Sequence, residues 1–257
     1  MSYLDAFILG LLQGLTEFLP VSSSGHLVMA QAMLGVKQPG VAFEVLAHLG
    51  TLGAVLVYFR GRIIGMFMSL WRSDRPVERR LIWYLIIGTV PAAIAGLLLK
   101  DLLESLFSQP AFAAGMLLVT GAILLTTRWT MKGSRDISVR SAIIMGVGQA
   151  LAIVPGISRS GSTIAAGMAA GVQPSLSAEF SFLLAIPAVG GAALLEIKSL
   201  INMPSQLIGQ YVFGAIVAFG VALSAVYLVL ESIRRGKFVY FAYYCFAAGL
   251  VGLYLFL

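Results

Sequence analysis

Charge is scarce in this chain of 257 residues: 11% are Asp, Glu, Lys or Arg, against roughly 25% in an ordinary soluble domain. That is too little to clothe a water-facing surface, and it excludes a soluble globular enzyme. A single cysteine, Cys245, excludes an intrachain disulfide and a Cys-based zinc site. Two histidines, His26 and His48, cannot build a three-His metal site. There is no HExxH, Walker A or GxGxxG sequence and no Asp-rich metal cluster. No basic residue precedes Lys37 and no small-residue cleavage site follows a short apolar core, so the N-terminus does not read as a secretory signal peptide. Residues 1–30 are therefore expected to be mature structure. The net charge is +6 and the pI about 9.6, but the basic residues lie in short clusters with no interleaved aromatics. No nucleic-acid partner is expected.

What is present is apolar: 59% of residues are hydrophobic and the mean hydropathy is +0.95. Six stretches, 41–59, 81–99, 111–127, 177–197, 211–230 and 239–257, match the length of a bilayer core and are expected to be transmembrane helices. Two more, 4–35 and 141–171, are broken by Pro20-Val21-Ser22-Ser23-Ser24-Gly25-His26 and by Pro155-Gly156-Ile157-Ser158-Arg159-Ser160-Gly161-Ser162. Irregular backbone at membrane depth is tolerated only against protein or a water-filled cavity, so both read as re-entrant helical hairpins. Thirteen of the 17 basic residues fall in 60–80, 128–140 and 231–238, whereas the alternate connections hold only Lys37, Lys100 and Lys198. The positive-inside rule then puts both termini outside the cytoplasm, with the first hairpin entering from outside and the second from the cytoplasm.

The two broken segments resemble one another. Gln13 to Gly25 and Gln149 to Gly161 each span twelve residues, at an offset of 136. Pro20 and Pro155 need a one-residue shift, and Glu44 and Glu179 stand 135 apart. Because the two segments enter from opposite faces, the chain reads as one membrane domain, 1–257, built from inverted halves of about 1–130 and 131–257. Such a repeat places a site near the midplane between the breaks. Gly10-x-x-x-Gly14 and Gly167-x-x-x-Gly171 supply small faces for close helix packing.

An ionisable group near the bilayer centre costs about 2.5–3.5 kcal/mol even on a lenient scale, so each needs a partner or a task. The set is Glu17, His26, Glu44, His48, Arg159 and Glu179. Glu196 reads as interfacial; Asp5, Lys100, Asp101 and Glu104 read as solvated helix ends. His48, four residues after Glu44, is expected to be that residue's hydrogen-bond partner. The first break crowds Glu17, Ser22, Ser23, Ser24 and His26 into a helix-opening turn that suits anion binding and acid–base chemistry. The second offers Ser158, Arg159, Ser160, Ser162 and Thr163 at another helix start, a set suited to phosphate. Glu17 is available to pair with Arg159.

The run Gln13-Gly14-Leu15-Thr16-Glu17-Phe18-Leu19-Pro20-Val21-Ser22-Ser23-Ser24-Gly25-His26, with Pro155-Gly156-Ile157-Ser158-Arg159-Ser160-Gly161-Ser162-Thr163, resembles the two signatures of the bacterial undecaprenyl-diphosphatase family, the bacitracin-resistance phosphatases. Phe43-Glu44-Val45 and Glu179-Phe180-Ser181-Phe182 are similar to the family as well, and the likeness spans the whole chain. It implies six spanning helices with two re-entrant hairpins. It also implies hydrolysis of a polyprenyl diphosphate to the monophosphate at the outer face of the inner membrane, recycling the cell-wall lipid carrier, with dependence on a divalent cation, Mg2+ or Ca2+, of unknown ligands. The second large class of membrane lipid phosphatases needs a histidine after its Ser-Arg pair, and none follows Arg159. Gln13 departs from the family, many of whose members have Glu there, leaving Glu17 as the carboxylate of this break.

On this resemblance the catalytic set is Ser23, His26, Glu17 and Arg159, and the substrate-binding set is Gln13, Ser22, Ser24, Ser158, Ser160, Gly161 and Thr163. Ser23 would attack the terminal phosphorus, with His26 or Glu17 taking its proton and Arg159 stabilising the transferred phosphoryl. Attack by His26 or by an activated water are the rival routes, and Ser22 or Ser24 can exchange roles with Ser23. The partners are the polyprenyl diphosphate and the bilayer, with a homodimer left open. Inverted repeats and broken helices also build transporters, so a polyprenyl-lipid transporter or flippase stands as the alternative.

Overall fold

The computed structural model describes residues 1–36, 42–71 and 74–257. Lys37, Arg72, the first residue of the expected span 41–59, and the side chain of Glu104 lie outside what is described. Among the described residues the protein is all-helical, its only strand-like contact being an isolated bridge between Arg135 and Val172.

Local sequence sets the helix starts. In α1 (Tyr3–Thr16) the Ser2 hydroxyl accepts from the Asp5 N–H at 3.1 Å while the Asp5 carboxylate accepts from the Ser2 N–H at 2.6 Å, a reciprocal capping box. Ser138 and Ser141 repeat that arrangement at α8 (Val139–Leu151). Proline opens α5 (Pro76–Leu98), α7 (Pro110–Thr130) and α10 (Pro174–Leu195), where its missing N–H costs nothing. The remaining long elements are α2 (Ser23–Leu34), α3 (Ala42–Tyr58), α9 (Arg159–Ala169), α12 (Ile208–Arg234) and α13 (Tyr240–Phe256). Three short helices, α4 (Arg60–Met68), α6 (Lys100–Phe107) and α11 (Ile197–Ile201), occupy connections.

Among the described residues four helices are long and apolar enough to cross a bilayer: α5, α7, α10, and α12 with its leading turn from Ser205. α3 and α4 meet that test together but bend by 75° at their junction. No more than 39% of any of the four spanning windows is buried inside the protein. Exposure of that much apolar surface is untenable in water and natural in lipid. The chain is a multi-pass membrane protein. The connection 60–80 differs from a plain loop, since Arg60 and Arg62 sit on α4.

α1 packs on α12, α3 on α12, α8 on α5, and α7 on α13. Small residues make these approaches possible. A Cβ on Gly14 would stand 2.6 Å from the Ala218 carbonyl oxygen and 2.8 Å from Val221 Cβ. Gly50 meets the Ala215 backbone and Gly146 the Gly88 backbone in the same manner. Gly14→Ala is accordingly expected to lower the unfolding temperature in detergent, at a cost of about 1–3 kcal/mol. Gly115→Ala, with nothing within 4 Å of its added carbon, should leave that temperature unchanged; a thermal melt of the purified proteins compares the two.

Candidate active site

The site is built where two helices are interrupted. Between α1 and α2 the chain leaves helical geometry around Glu17–Ser22, and between α8 and α9 around Ala152–Ser158. Each interruption ends in the same device. The Ser22 hydroxyl caps α2 by accepting from Gly25 N–H at 3.3 Å, and the Ser158 hydroxyl caps α9 by accepting from Gly161 N–H at 3.0 Å. Both bonds bridge three residues, and they lie 136 positions apart.

Ser22 is the one non-glycine residue with positive φ among the described residues, at φ 67° and ψ 97°. That backbone is strained for a residue with a Cβ. It is held by its surroundings: its carbonyl accepts from His26 N–H at 3.2 Å and from His26 Nδ1 at 2.8 Å. Glycine lets the two tips touch. A Cβ on Gly25 would meet Gly156 Cα at 3.0 Å, and one on Gly161 would meet Pro20 Cβ at 3.2 Å. Thr120 of α7 clamps the second tip, its hydroxyl donating to the Gly156 carbonyl at 2.8 Å and accepting from Ser158 N–H at 3.0 Å.

Glu17 is 6% exposed and sits at the centre. Its Oε1 accepts from Arg159 Nη2 at 2.5 Å. Its Oε2 accepts from the Ser23 hydroxyl at 2.6 Å and from Gln13 Nε2 at 3.0 Å, and His48 Nε2 lies 3.4 Å from the same oxygen. Arg159 also donates to the Ser181 carbonyl at 3.3 Å and lies 5.9 Å from the Phe18 ring centre. A guanidinium has five N–H groups, so only part of its donor capacity is used. A buried carboxylate, a hydroxyl aimed at it and a guanidinium with donors to spare thus share one cluster.

The structure brings Glu17, Ser23, Arg159 and Gln13 into direct contact. His26 stands apart from Ser23 and Glu17 in its bonds: Nδ1 goes to Ser22 and Nε2 to the Tyr244 hydroxyl at 2.9 Å. Ser24 bonds Ser22 at 3.2 Å and accepts from Gly156 N–H at 3.5 Å. Ser158 is spent on its cap, and Ser160 donates to the Leu19 carbonyl at 3.2 Å. Thr163 donates to the Arg159 carbonyl at 2.8 Å and contacts the Ser181 hydroxyl. Of these hydroxyls, those of Ser24 and Ser160 bond across the two breaks.

His48 is a hydrogen-bond partner of Glu44, through the backbone: its Nδ1 reaches the Glu44 carbonyl at 2.7 Å, as an i to i−4 side chain readily does, and its Nε2 turns to Glu17. The Glu44 carboxylate instead accepts from Gln31 at 2.6 Å. Glu179 pairs with Arg62 at 2.9 Å and Glu196 with Lys100 at 3.0 Å. Neither Glu179 nor Glu196 joins the cluster. Tyr244 and Thr120 were not singled out by sequence, and Ser181 was named only within the stretch Glu179-Phe180-Ser181-Phe182. Tyr244 lies in the run Tyr240-Phe241-Ala242-Tyr243-Tyr244, which reads as an aromatic membrane belt and carries no signal of its own.

The model of the family described as bacitracin resistance protein BacA matches residues 6–251. The undecaprenyl-diphosphatase of Syntrophotalea carbinolica is 46% identical over 255 residues, with 97% of each chain covered. That of Desulfosudis oleivorans is 44% identical over 271 residues, covering 99% of each. That of Methanobrevibacter smithii is 40% identical over 268 residues, covering 98% of this chain and 96% of the relative.

The Thr120 clamp can be tested directly. Thr120→Val keeps the shape but orphans the Gly156 carbonyl and the Ser158 N–H, at an expected cost of about 1–3 kcal/mol. Thr120→Ser restores both bonds, so thermal unfolding in detergent should show a loss in the first variant and a near-wild-type value in the second.

Proposed function

Because the chain belongs to the family of the bacitracin resistance protein BacA, we propose that it hydrolyses undecaprenyl diphosphate to undecaprenyl phosphate and inorganic phosphate within the membrane. That reaction recycles the cell-wall lipid carrier and confers bacitracin resistance. The observation that carries the reading is the contact set of Glu17: Ser23 at 2.6 Å and Arg159 at 2.5 Å around one buried carboxylate. The relatives are named as diphosphatases, and the transport reading has no comparable support.

In this reading the Ser23 oxygen bonds the terminal phosphorus as its proton passes to Glu17 Oε2, and the phosphorus–oxygen bond to the prenyl monophosphate breaks. Arg159, with N–H groups left over from Glu17 and Ser181, takes charge on the transferred phosphoryl. Water then cleaves the phosphoserine: its oxygen bonds phosphorus as its proton passes to His26 Nε2, and the departing Ser23 oxygen takes back the proton held by Glu17. Ser23 is preferred to His26 as nucleophile because its hydroxyl already points at a base, whereas both imidazole nitrogens are engaged. Gln13 supports Glu17 as a neutral amide. Ser22, Ser24, Ser158, Ser160, Gly161 and Thr163 shape the phosphate-binding floor at the starts of α2 and α9.

The resemblance implies a divalent cation, and the donors at the site bear on whether it resides there. Among the described residues no three His, Cys, Asp or Glu side chains stand together. Both oxygens of Glu17 are already committed to donors. These residues do not fit a resident Mg2+ or Ca2+, which asks for several oxygen ligands. The cation dependence is assigned to the diphosphate, which carries its own counter-ion.

The membrane arrangement proposed is six spans, α3, α5, α7, α10, α12 and α13, with α1–α2 and α8–α9 as re-entrant hairpins of an inverted repeat, halves about 1–130 and 131–257. The paired serine caps support it, as does mirrored packing, α1 on α12 and α8 on α5. The 17 residues of α13 reach about 26 Å, near the thickness of a hydrocarbon core. The protein is placed in the bacterial cytoplasmic membrane, with termini and site opening to the periplasmic or extracellular side. Both breaks come from one chain, so the proposed site draws on no second copy.

The purified protein in detergent is expected to release inorganic phosphate from a polyprenyl diphosphate and to lose that activity with chelator. Glu17→Ala and Arg159→Ala, shown folded by gel filtration, should each lose on the order of 100-fold or more. Brief reaction with substrate labelled in its terminal phosphate should place the label on Ser23. A folded wild type that releases no phosphate across pH and divalent cations would overturn the phosphatase reading, and label on His26 would overturn the choice of nucleophile.

A further inference from the structure

His26 lies at the start of α2 with its ring fixed at both nitrogens. The Ser22 carbonyl, 2.8 Å from Nδ1, can only accept, so Nδ1 carries a hydrogen. In the neutral ring Nε2 is then a lone pair. Its partner is the hydroxyl of Tyr244, 2.9 Å away and 218 positions along the chain, which must donate. The two rings stack with 12° between their planes and centres 5.7 Å apart. His26 is 9% exposed, while Tyr244 is half-exposed on α13. The phenol is therefore the group that stands between the buried imidazole and the surface. Loss of the Nδ1 hydrogen would set a ring lone pair against the Ser22 carbonyl oxygen at 2.8 Å, so proton exchange falls to Nε2 and passes Tyr244.

We propose that Tyr244 is the positioning residue of His26 in the reaction: its hydroxyl fixes the ring as the Nδ1–H tautomer and is the route by which Nε2 exchanges a proton. The inference rests on the phosphatase reading. In the hydrolytic step a water O–H bond breaks as the water oxygen bonds phosphorus and the serine–phosphorus bond opens. The water's proton passes to the phenol oxygen while the phenol's own proton passes to Nε2, leaving an intact tyrosine and an imidazolium, and the departing Ser23 oxygen takes back the proton held by Glu17. The imidazolium then passes its proton through the phenol to the released phosphate, which restores the resting pair. The arrangement also explains why His26 does not attack phosphorus itself, since the nitrogen that would attack is capped.

The titratable side chains around this pair are Cys245, next to Tyr244 on α13, and Glu17 with Arg159 and His48, reached through Ser23 of the same helix. Among the described residues no charged side chain of α1 or α7, the helices α2 packs on, bonds His26.

Tyr244→Phe keeps the ring and its stacking and removes only the hydroxyl. Phosphate release from a polyprenyl diphosphate by the full chain in detergent should show kcat lower by about tenfold, the worth of one hydrogen bond, with KM within about twofold. The pH–rate curve should be displaced. Because Tyr244 acts through His26, Tyr244→Phe on a His26→Ala background should cost nothing further. If Tyr244→Phe does not fold, 3-fluorotyrosine at position 244 carries the test, since it retains ring and hydroxyl but makes the phenol more acidic and should move the pH–rate curve. A Tyr244→Phe protein with wild-type kcat and pH profile overturns the inference, as does a cost that adds in full to that of His26→Ala, or a fluorotyrosine protein with an unmoved curve. A wild type that releases no phosphate overturns the phosphatase reading, and this inference with it.

Discussion

The contact between Glu17 and Arg159 is the constraint on which the rest depends. Each residue lies at an interruption of a membrane helix, and neither charge can stay in a low-dielectric interior without the other. Pairing them forces the two interruptions to the same place, although 142 positions separate them. Once they meet, the helices carrying them have little freedom: α1 must lie against α12, α8 against α5, and α7 must pass behind the second tip. The glycines at 14, 25, 146, 156 and 161 follow from this demand, because each marks a point where backbone approaches backbone or a side-chain stem within a few ångströms.

An interruption leaves backbone polar groups without helical partners, and in lipid there is no water to take them up. The serine and threonine hydroxyls of the two signatures answer that need. Ser22 and Ser158 cap, Ser160 and Thr163 donate to carbonyls, and Thr120 takes one acceptor and one donor of the second tip. The residues that look most like phosphate ligands are therefore first the ones that let a non-helical backbone exist at this depth. The strained φ of Ser22 belongs to the same economy of space, since it turns that carbonyl toward His26.

Sequence made the charged core legible because a bilayer penalises ionisable groups so heavily that few survive without purpose. The interruptions were legible from Pro, Gly and Ser in otherwise apolar runs, and the pairing of Glu17 with Arg159 was among the options the residues left open. What stayed hidden has physical causes. His48 stands four residues after Glu44, and spacing alone cannot separate a bond to the side chain from one to the carbonyl, which here frees Nε2 to face Glu17. Tyr244 is one aromatic among several on a surface helix, and its role exists only once α13 is packed on α7 and α2 is seated beside it. The bend between α3 and α4 falls at Phe59, where the expected span ended; what the basic run after it did not announce is that Arg60 and Arg62 would continue as a helix.

The resting site is donor-rich in a way that bears on what it accepts. Glu17 holds the Ser23 hydroxyl, the Gln13 amide and the Arg159 guanidinium, with the His48 ring nearby, and it is the sole carboxylate of the cluster among the described residues. A neutral ligand has little to offer such a set. A diphosphate competes with Glu17 for Arg159 on equal chemical terms, since carboxylate and phosphate both accept the guanidinium fork. Each N–H that Arg159 transfers to the phosphate returns a lone pair to Glu17, the group that in the proposed reaction must receive the serine proton. Binding of the anion and readiness of the base are thus coupled through one arginine. That coupling gives a physical reason for the pair to lie astride two interruptions instead of along one continuous helix.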